Sequence, residues 1–413
     1  MTITFVSNYI NHHQIPFSNA LYESLEDDYC FIQTMPMEEE RVAMGWDKAV
    51  GKLPYVRYLY KEEEDCLQKI LNSDVVLFGW TGREDIAAKR LAAGKLTFRV
   101  SERLYREGQW KAVSPRGLLA KYKEHIKFRK GNVYLLCAGA YVASDFHLIG
   151  AYPNKMFRWG YFPETKVYSD EEFKTLKKKA IVKKSPDAPG DAEKIQIVWA
   201  GRFMPLKHPE YATRLAKNLR EKGYIFTLHM LGSGEMEQEL KTYVEENGLS
   251  EDVIFYGFKE PGTVRSIMEK CHIHLFTSNH LEGWGAVVNE GMNSGCVEVV
   301  SASVGAAPYL IRHGINGLVY PNDSYSEMEK LVIDLLDHWD KRKGMGFEAY
   351  RTIRTEWNAE HAAQALLYFI NQAEKRTGTE ARVIPAASGP LSAAPVISPG
   401  KMYKAMLDGR LDG

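Results

Sequence analysis

Two glutamates, Glu282 and Glu290, stand in the part of this sequence best suited to chemistry. The apolar residues 272–276 before them predict a buried strand, and residues 286–292, after Gly283-Trp284-Gly285, predict the start of a helix. A strand, a glycine-bearing turn and a helix start together favour an anion, because the first N–H groups of a helix are unpaired and its dipole attracts negative charge. Carboxylates beside an anion need another role, and we expect them to accept hydrogen bonds from sugar hydroxyls.

Two basic residues follow an earlier predicted strand. Gly201-Arg202 comes directly after residues 195–200, and Lys207 lies five positions beyond Arg202. A guanidinium fork and an ammonium group near one strand end suit a diphosphate leaving group, whose oxygens gain charge as its bond to a sugar breaks. Taken alone, the pair could equally be surface residues at a helix start.

Two further strand ends carry residues that could line a nucleotide. Gly232-Ser233-Gly234 forms a glycine turn after residues 225–230, and Phe258-Lys259 closes the run 254–259. By themselves these are ordinary turns. Their order distinguishes them, since four such motifs, each at a strand end, follow one another within about 100 residues.

This order of motifs, with the spacing from Glu282 to Glu290, resembles the retaining glycosyltransferases of family 4, also called group 1. The resemblance is strong over residues 195–336, and the N-terminal half is more weakly similar to sugar transferases of bacterial surface-polysaccharide gene clusters. It implies an α/β protein with the GT-B fold, in which two Rossmann-like doubly wound domains face a central cleft.

The resemblance also implies roles for individual residues. Glu282, Arg202 and Lys207 would be catalytic, with Glu282 binding hydroxyls of the transferred sugar and the two cations binding the diphosphate. Glu290 would bind the ribose, and the backbone N–H groups of residues 284–286 would cradle the diphosphate. The full set expected to bind the donor comprises Gly201, Gly232, Ser233, Phe258, Lys259, Gly283, Trp284, Gly285, Ala286 and Glu290.

The sequence departs from the family's pattern in three loops. Instead of a glycine-rich loop after the first strand it has Asn11-His12-His13-Gln14, and where many members place a histidine near the sugar it has Ser101-Glu102. His12, His13 and Glu102 are therefore the candidates on the acceptor or sugar side, although adjacent histidines in a polar loop are more often solvated. Residues 305–309 keep the family's glycine turn and lack its acid, which leaves the sugar and the acceptor open.

Composition restricts the class of protein. The chain has 413 residues, no net charge, 45% hydrophobic and 26% charged residues, so it is long enough for two domains and suggests no nucleic-acid partner. Its five cysteines show no metal or disulfide spacing, which is typical of a reducing cytosol. We find neither a signal peptide nor an apolar run of membrane-spanning length, and expect a cytoplasmic protein.

The chain is expected to divide into an acceptor-binding domain over residues 1–180, a Lys-rich linker over 181–194 and a donor-binding domain over 195–345. Helices over 346–375 would cross back to the first domain, as the resemblance implies. The Ala- and Pro-rich residues 376–413 would form an extended tail.

Residues 116–130 concentrate basic side chains, interrupted by Leu119, Tyr122, Ile126 and Phe128. A basic amphipathic helix is typical of a membrane surface, and would place the protein at the inner face of the cell membrane. A solvated surface helix fits the pattern equally well.

The expected function is a metal-independent retaining glycosyltransferase without a cofactor. It would move a sugar from a nucleotide sugar, such as a UDP- or GDP-sugar, to a saccharide or lipid-linked saccharide in the synthesis of a capsule, exopolysaccharide or O-antigen. Two alternatives stay open: a nucleotide-sugar epimerase of the same fold, and a catalytically idle protein that binds nucleotide sugars. A dehydrogenase is disfavoured because the first strand is not followed by the glycine fingerprint of dinucleotide sites.

Overall fold

The structure, a computed structural model, describes residues 1–39, 42, 50–177, 180, 182–183, 194–374 and 385–411. The chain forms two compact units. Within the described residues, the N-terminal unit comprises Met1–Glu164 and Glu356–Ser398, and the C-terminal unit comprises Thr165–Thr355 and residues 399–411.

The N-terminal unit is built on a seven-stranded parallel sheet of order β3-β2-β1-β4-β5-β6-β7. Its strands are β1 (Ile3–Ser7), β2 (Tyr29–Gln33), β3 (Val56–Tyr58), β4 (Val75–Phe78), β5 (Thr97–Ser101), β6 (Val133–Ala138) and β7 (Met156–Trp159). The central strands are apolar and buried because helices cover both faces of a parallel sheet. These helices include α1 (Ile15–Leu25), α2 (Glu63–Asn72), α3 (Glu84–Ala92), α4 (Pro115–Lys121) and α5 (Val142–Leu148).

The C-terminal unit has a six-stranded parallel sheet of order β10-β9-β8-β11-β12-β13. Its strands are β8 (Ile195–Ala200), β9 (Phe226–Leu231), β10 (Val253–Gly257), β11 (Ile273–Phe276), β12 (Val297–Ser301) and β13 (Gly317–Tyr320). The strand order reverses between β8 and β11, and in open parallel sheets ligands bind beyond the carboxyl ends of the strands at such a point. The prediction of two doubly wound α/β domains is confirmed.

Helices precede, connect and follow the strands of the C-terminal unit, and several bury apolar side chains against the sheet. They include α6 (Asp170–Leu176), α7 (Glu210–Glu221), α8 (Glu237–Glu246), α9 (Pro261–Met268), α10 (Ala286–Asn293), α11 (Ala307–Leu310), α12 (Tyr325–Asp337) and α13 (Trp339–Thr355). The core beneath α7 and α12 includes Trp199, Leu215, Leu228 and Val332, all almost fully buried. This packing holds rigid the strand ends that carry the candidate site.

The unit boundaries differ from those expected from the sequence. The segment before α6 belongs to the C-terminal unit, where Lys166 Nζ lies 2.7 Å from the Glu269 carboxylate and the Tyr168 N–H donates to Tyr350 at 2.8 Å. Helix α13 also stays in the C-terminal unit, and only α14 (Ala359–Glu374) joins the N-terminal unit, where it packs against α1. Most of the expected linker, 181–194, lies outside the described residues.

The expectation of an extended tail needs correction for residues 385–411. The Arg158 N–H donates to the Ser392 carbonyl at 2.8 Å, beside strand β7, and Leu391 is buried. Residues Pro399–Leu407 form a final helix, α15, whose Met402 is fully buried in the C-terminal unit. The Ala- and Pro-rich composition favours an extended segment, but apolar residues at helical spacing give residues 399–407 a face to bury.

Candidate functional site

The loops that follow β8, β9, β10 and β11 are joined by backbone hydrogen bonds at one edge of the C-terminal sheet. The Gly201 N–H donates to the Leu231 carbonyl at 2.9 Å, and the Gly232 N–H donates to the Gly257 carbonyl at 3.0 Å. The Asn279 N–H donates to the Leu206 carbonyl at 2.9 Å. The structure therefore brings together the strand ends whose motifs the sequence analysis singled out.

Gly232 lets two of these loops approach closely. Its φ is +132°, and a Cβ added there would lie 1.8 Å from the Gly201 carbonyl oxygen. The adjoining Ser233 carbonyl accepts a hydrogen bond from the Phe203 N–H at 2.9 Å. A glycine is needed here both for the backbone conformation and for the space.

The predicted catalytic residues lie at the same edge. Lys207 ends a short 3₁₀ turn, Pro205–Lys207, and its ammonium group donates to the Glu282 carboxylate. Both side chains are largely buried, at 17% and 14% exposure. Arg202 is exposed, and no described side chain hydrogen-bonds to its guanidinium. The site thus holds one paired cation, one carboxylate and one cation open to an anion.

Sequence reasoning missed a hydrogen-bonded support beneath Lys207. Thr277, at the end of β11, accepts from the Trp199 indole N–H at 2.8 Å. Its own hydroxyl lies 2.6 Å from the Lys207 carbonyl and 3.0 Å from the His208 carbonyl. Residues 78 positions apart are joined here, and no sequence signal marks such a contact.

We expect Thr277→Val to lower the free energy of unfolding by about 1–3 kcal/mol, because the buried Trp199 indole and the Lys207 carbonyl lose their partner. Without this hydrogen bond Lys207 should also move, which would weaken nucleoside diphosphate binding. Thr213→Val serves as the control, since Thr213 is equally buried but donates only to the Glu210 carbonyl of its own helix. Urea unfolding and nucleotide titration of both variants check this, and equal binding by the two would contradict it.

The start of α10 faces the site with backbone N–H groups. Gly285 caps the helix at φ +86°, and a Cβ there would lie 2.9 Å from Val304. Among the described residues, no acceptor takes the N–H groups of Gly285 or Ala286. The Trp284 indole is buried and donates to Asn289 at 2.8 Å, so this residue can reach a ligand through its backbone alone.

Glu290 lies in the second turn of α10, partly accessible to solvent. No hydrogen bond from a described residue reaches its carboxylate. Burial raises the pKa of Glu290 to about 7, and the neighbouring Arg265 and His274 oppose that shift. Its carboxylate is therefore available to hydroxyl donors and costly to ionise without them.

Behind α10 lies a second feature absent from the sequence analysis, a buried pair formed by His274 on β11 and Glu298 on β12. The His274 Nδ1 lies 2.8 Å from the Glu298 carboxylate, and neither side chain is exposed. A Cβ on Gly291 would lie 2.0 Å from the Glu298 carboxylate, so the pair requires a glycine in the helix above it. Polar residues at matching positions of two apolar strands were the signal that could have revealed it.

The pKa of Glu290 predicts a pH dependence of nucleotide-sugar binding. If ribose hydroxyls bind only the ionised carboxylate, affinity should rise about tenfold from pH 6 to pH 8, because the ionised fraction rises by that factor around a pKa of about 7. Folding stability has the opposite pH dependence. Because its pKa is raised in the folded state, Glu290 contributes stability that is fully present below its pKa in the unfolded chain and is lost as pH rises through about 7.

Calorimetry with a nucleotide sugar checks the effect, since its diphosphate, unlike a terminal phosphate, does not titrate in this range. Glu290→Gln is the control and should bind weakly with a flat profile. A flat profile in the unmodified protein would contradict the assignment of Glu290 to the ribose.

The N-terminal unit gathers its candidates at the carboxyl edge of its sheet. His12 and His13 follow β1, Glu102 follows β5, and Tyr161 follows β7. The Tyr161 hydroxyl donates to Glu102 at 2.8 Å, and its ring stacks on His13 with centroids 6.2 Å apart. Arg106 also pairs with Glu102. Tyr161, which sequence reasoning missed, thus connects His13 and Glu102, whose roles stay predictions.

The remaining donor candidates, Phe258 and Lys259, follow β10 and are exposed, with 48% of Phe258 accessible. They lie at the outer strand of the sheet, where the backbone of Gly257 accepts from Gly232 at 3.0 Å. Their position suits the rim of a nucleotide site, and their binding role stays a prediction.

Comparison with solved structures identifies the fold. Solved structures with the GT-B fold superpose on this chain: Anabaena HepE, solved in complex with UDP, has a TM-score of 0.66 at 13% identity and covers 90% of this chain and 100% of its own. The lipopolysaccharide outer core galactosyltransferase WaaB has a TM-score of 0.58 at 17% identity, covering 86% and 95%. The fold is therefore GT-B.

Residues 182–352 match the family model of glycosyl transferases group 1. An uncharacterized glycosyltransferase of Methanocaldococcus jannaschii is 32% identical over 175 residues, 42% of this chain and 44% of the relative. The amylovoran biosynthesis glycosyltransferase AmsK of Erwinia amylovora is 24% identical over 177 residues, 42% and 43% of the two chains. The matches span less than half the length of these curated relatives.

Proposed function

We propose that this protein is a metal-independent retaining glycosyltransferase that uses a nucleotide sugar to extend a saccharide or lipid-linked saccharide in polysaccharide synthesis. One observation carries the proposal: Arg202, the Lys207–Glu282 pair and the N–H groups that begin α10 lie at the switch point of one parallel sheet. The matched family and the amylovoran relative support the reaction class, and the neighbour solved with UDP supports a nucleotide donor.

Each group of this site has a part in the proposed transfer. Arg202, Lys207 and the N–H groups of α10 would neutralise the diphosphate as its bond to the sugar breaks. Glu282 would accept hydrogen bonds from the sugar hydroxyls, and Glu290 from the ribose. The acceptor hydroxyl would attack on the face from which the diphosphate leaves and pass its proton to the departing diphosphate oxygen, which retains the configuration at that carbon.

The test is a thermal-shift panel of nucleoside diphosphates and their sugar conjugates, with EDTA present. A ligand at 100 times its Kd stabilises the folded state by about 2.7 kcal/mol, which is readily measured. We expect one nucleotide series to stabilise the unmodified protein and to lose most of its effect in Arg202→Ala. Arg351→Ala is the matched control, because Arg351 is an exposed arginine on α13.

The outcomes separate the alternatives. If no nucleotide stabilises the protein either in EDTA or with added metal, the donor site is refuted. If a nucleotide sugar binds but is neither transferred nor hydrolysed, the idle binding protein is favoured, and recovery of the donor with an inverted sugar centre favours the epimerase. Binding only after metal addition would contradict metal independence.

A further inference from the structure

The N-terminal unit exposes an unusual set of large apolar side chains over residues 110–122, here called the apolar segment. Trp110 is 70% exposed, Val113 77%, Leu119 57% and Tyr122 53%. They lie on a 3₁₀ turn, Gln109–Val113, on helix α4 and on the first residue of a π-helical turn, Tyr122–Ile126. Burying so much apolar surface would be favourable, and exposed patches of this kind mark interaction sites.

The structure distinguishes the outer from the inner apolar residues of this region. Ile126 and Phe128 pack against the core of the N-terminal unit, and His125 is buried with its Nδ1 2.8 Å from the Tyr152 hydroxyl. The sequence pattern had grouped Ile126 and Phe128 with Leu119 and Tyr122, but only the latter two are exposed. The inner residues hold the segment in place, so the segment does not have to fold when its exposed side chains bind a partner.

Positive charge surrounds the apolar segment. Arg116, Lys123, Lys127 and Lys130 are exposed, and no described carboxylate pairs with them. The one acidic residue between them, Glu124, forms an ion pair with Lys121, whose Nζ lies 2.6 Å from the carboxylate.

A groove of about 510 Å³ between α3 and α4 brings two more acids near the patch. Glu84 pairs with Arg99 at 2.6 Å and Asp85 with Arg83 at 3.0 Å, so these carboxylates are also neutralised. The free charges of the patch are therefore positive.

We propose that the apolar segment and its four unpaired cations form a docking surface for an anionic lipid bilayer. Aromatic and aliphatic side chains would enter the interface while the cations bind headgroup phosphates. The described residues contain no helix long and apolar enough to cross a membrane. The contact would be peripheral and salt-sensitive, and it would bring the enzyme to a lipid-linked acceptor.

Flotation of the full-length protein with lipid vesicles tests the proposal. Phosphatidylcholine vesicles are compared with vesicles that also contain about 30% phosphatidylglycerol, at low and high salt. We expect binding to the anionic vesicles that weakens with salt. Lys123→Gln/Lys127→Gln should weaken it about 25-fold, since each charge near an anionic surface contributes about fivefold. Trp110→Ser/Leu119→Ser should weaken it at least tenfold.

Control variants carry the same kinds of substitution elsewhere on the surface. Lys343→Gln/Lys401→Gln removes two exposed lysines of the C-terminal unit, and Tyr368→Ser removes an aromatic residue that is 66% exposed on α14. Both should bind vesicles as the unmodified protein does. Circular dichroism melting shows whether each variant is folded.

Absence of binding to anionic vesicles would overturn the proposal, as would unchanged binding by the two patch variants. Self-association that the patch variants abolish, without vesicle binding, would assign the surface to a second copy instead and equally overturn it. None of these residues belongs to the donor site, so nucleotide thermal shifts should be unaffected. A failure here therefore leaves the proposed glycosyl transfer untouched.

Discussion

Replacing Glu282 by glutamine is expected to reduce sugar transfer about 10²- to 10³-fold, the loss typical of removing one preorganised polar group from a transition-state site. The carboxylate can accept two hydroxyl hydrogen bonds, whereas the amide accepts at one atom and presents N–H donors at the other. The substitution also releases Lys207, whose ammonium group donates to Glu282 in the folded protein.

The two functions of Glu282 make the kinetic signature specific. The turnover number should fall, while the Kd of a nucleoside diphosphate without sugar should stay the same or decrease, because Lys207 becomes available to phosphate. Steady-state kinetics and calorimetry measure the two quantities separately. Glu251→Gln, at an exposed position before β10, is the control and should change neither.

Two results would contradict this assignment. Transfer by Glu282→Gln at the unmodified rate would remove Glu282 from the reaction. Weakened binding of the bare nucleoside diphosphate with unchanged turnover would instead make the Lys207–Glu282 pair a structural element of the diphosphate site.

Substituting Gly232 with alanine is expected to have the largest effect on the structure of the site. The methyl group would meet the Gly201 carbonyl oxygen at 1.8 Å, and a φ of +132° is strained for any residue with a side chain. Strain and collision together should lower the free energy of unfolding by about 2–6 kcal/mol. The loop carrying Arg202 would have to move, so nucleotide binding should be lost even where the protein folds.

Gly223 provides a matched control for this prediction. It also has a positive φ, +78°, but nothing lies within 4 Å of an added Cβ. Gly223→Ala should therefore cost only the backbone strain, about 1–2 kcal/mol, and leave nucleotide binding intact. Urea unfolding and thermal shift with nucleotide measure both variants. Equal losses in the two would show that the close approach of the loops after β8 and β9 is unimportant.

Several features of the fold and site were predictable because they are local. Apolar runs separated by helical stretches predict alternating strands and helices, and the position of each motif directly after a strand places it at the carboxyl edge of a parallel sheet. Glu282, Arg202 and Lys207 were found in this way, and the structure brings them to one edge. Gly232 could likewise be predicted to lie in a turn. The Gly201 carbonyl oxygen, which an added Cβ would meet, could not be predicted.

Contacts between distant segments were not predictable from these patterns. Local patterns in the sequence were enough to predict the two sheets, the order of the motifs and the residue types at each strand end. They did not reveal that Thr277 supports Lys207, that His274 and Glu298 form a buried pair behind the helix that carries Glu290, or that Tyr161 joins His13 to Glu102. Strand propensity and periodicity act over neighbouring residues, whereas these contacts depend on strand order and register, which follow from packing of the whole core.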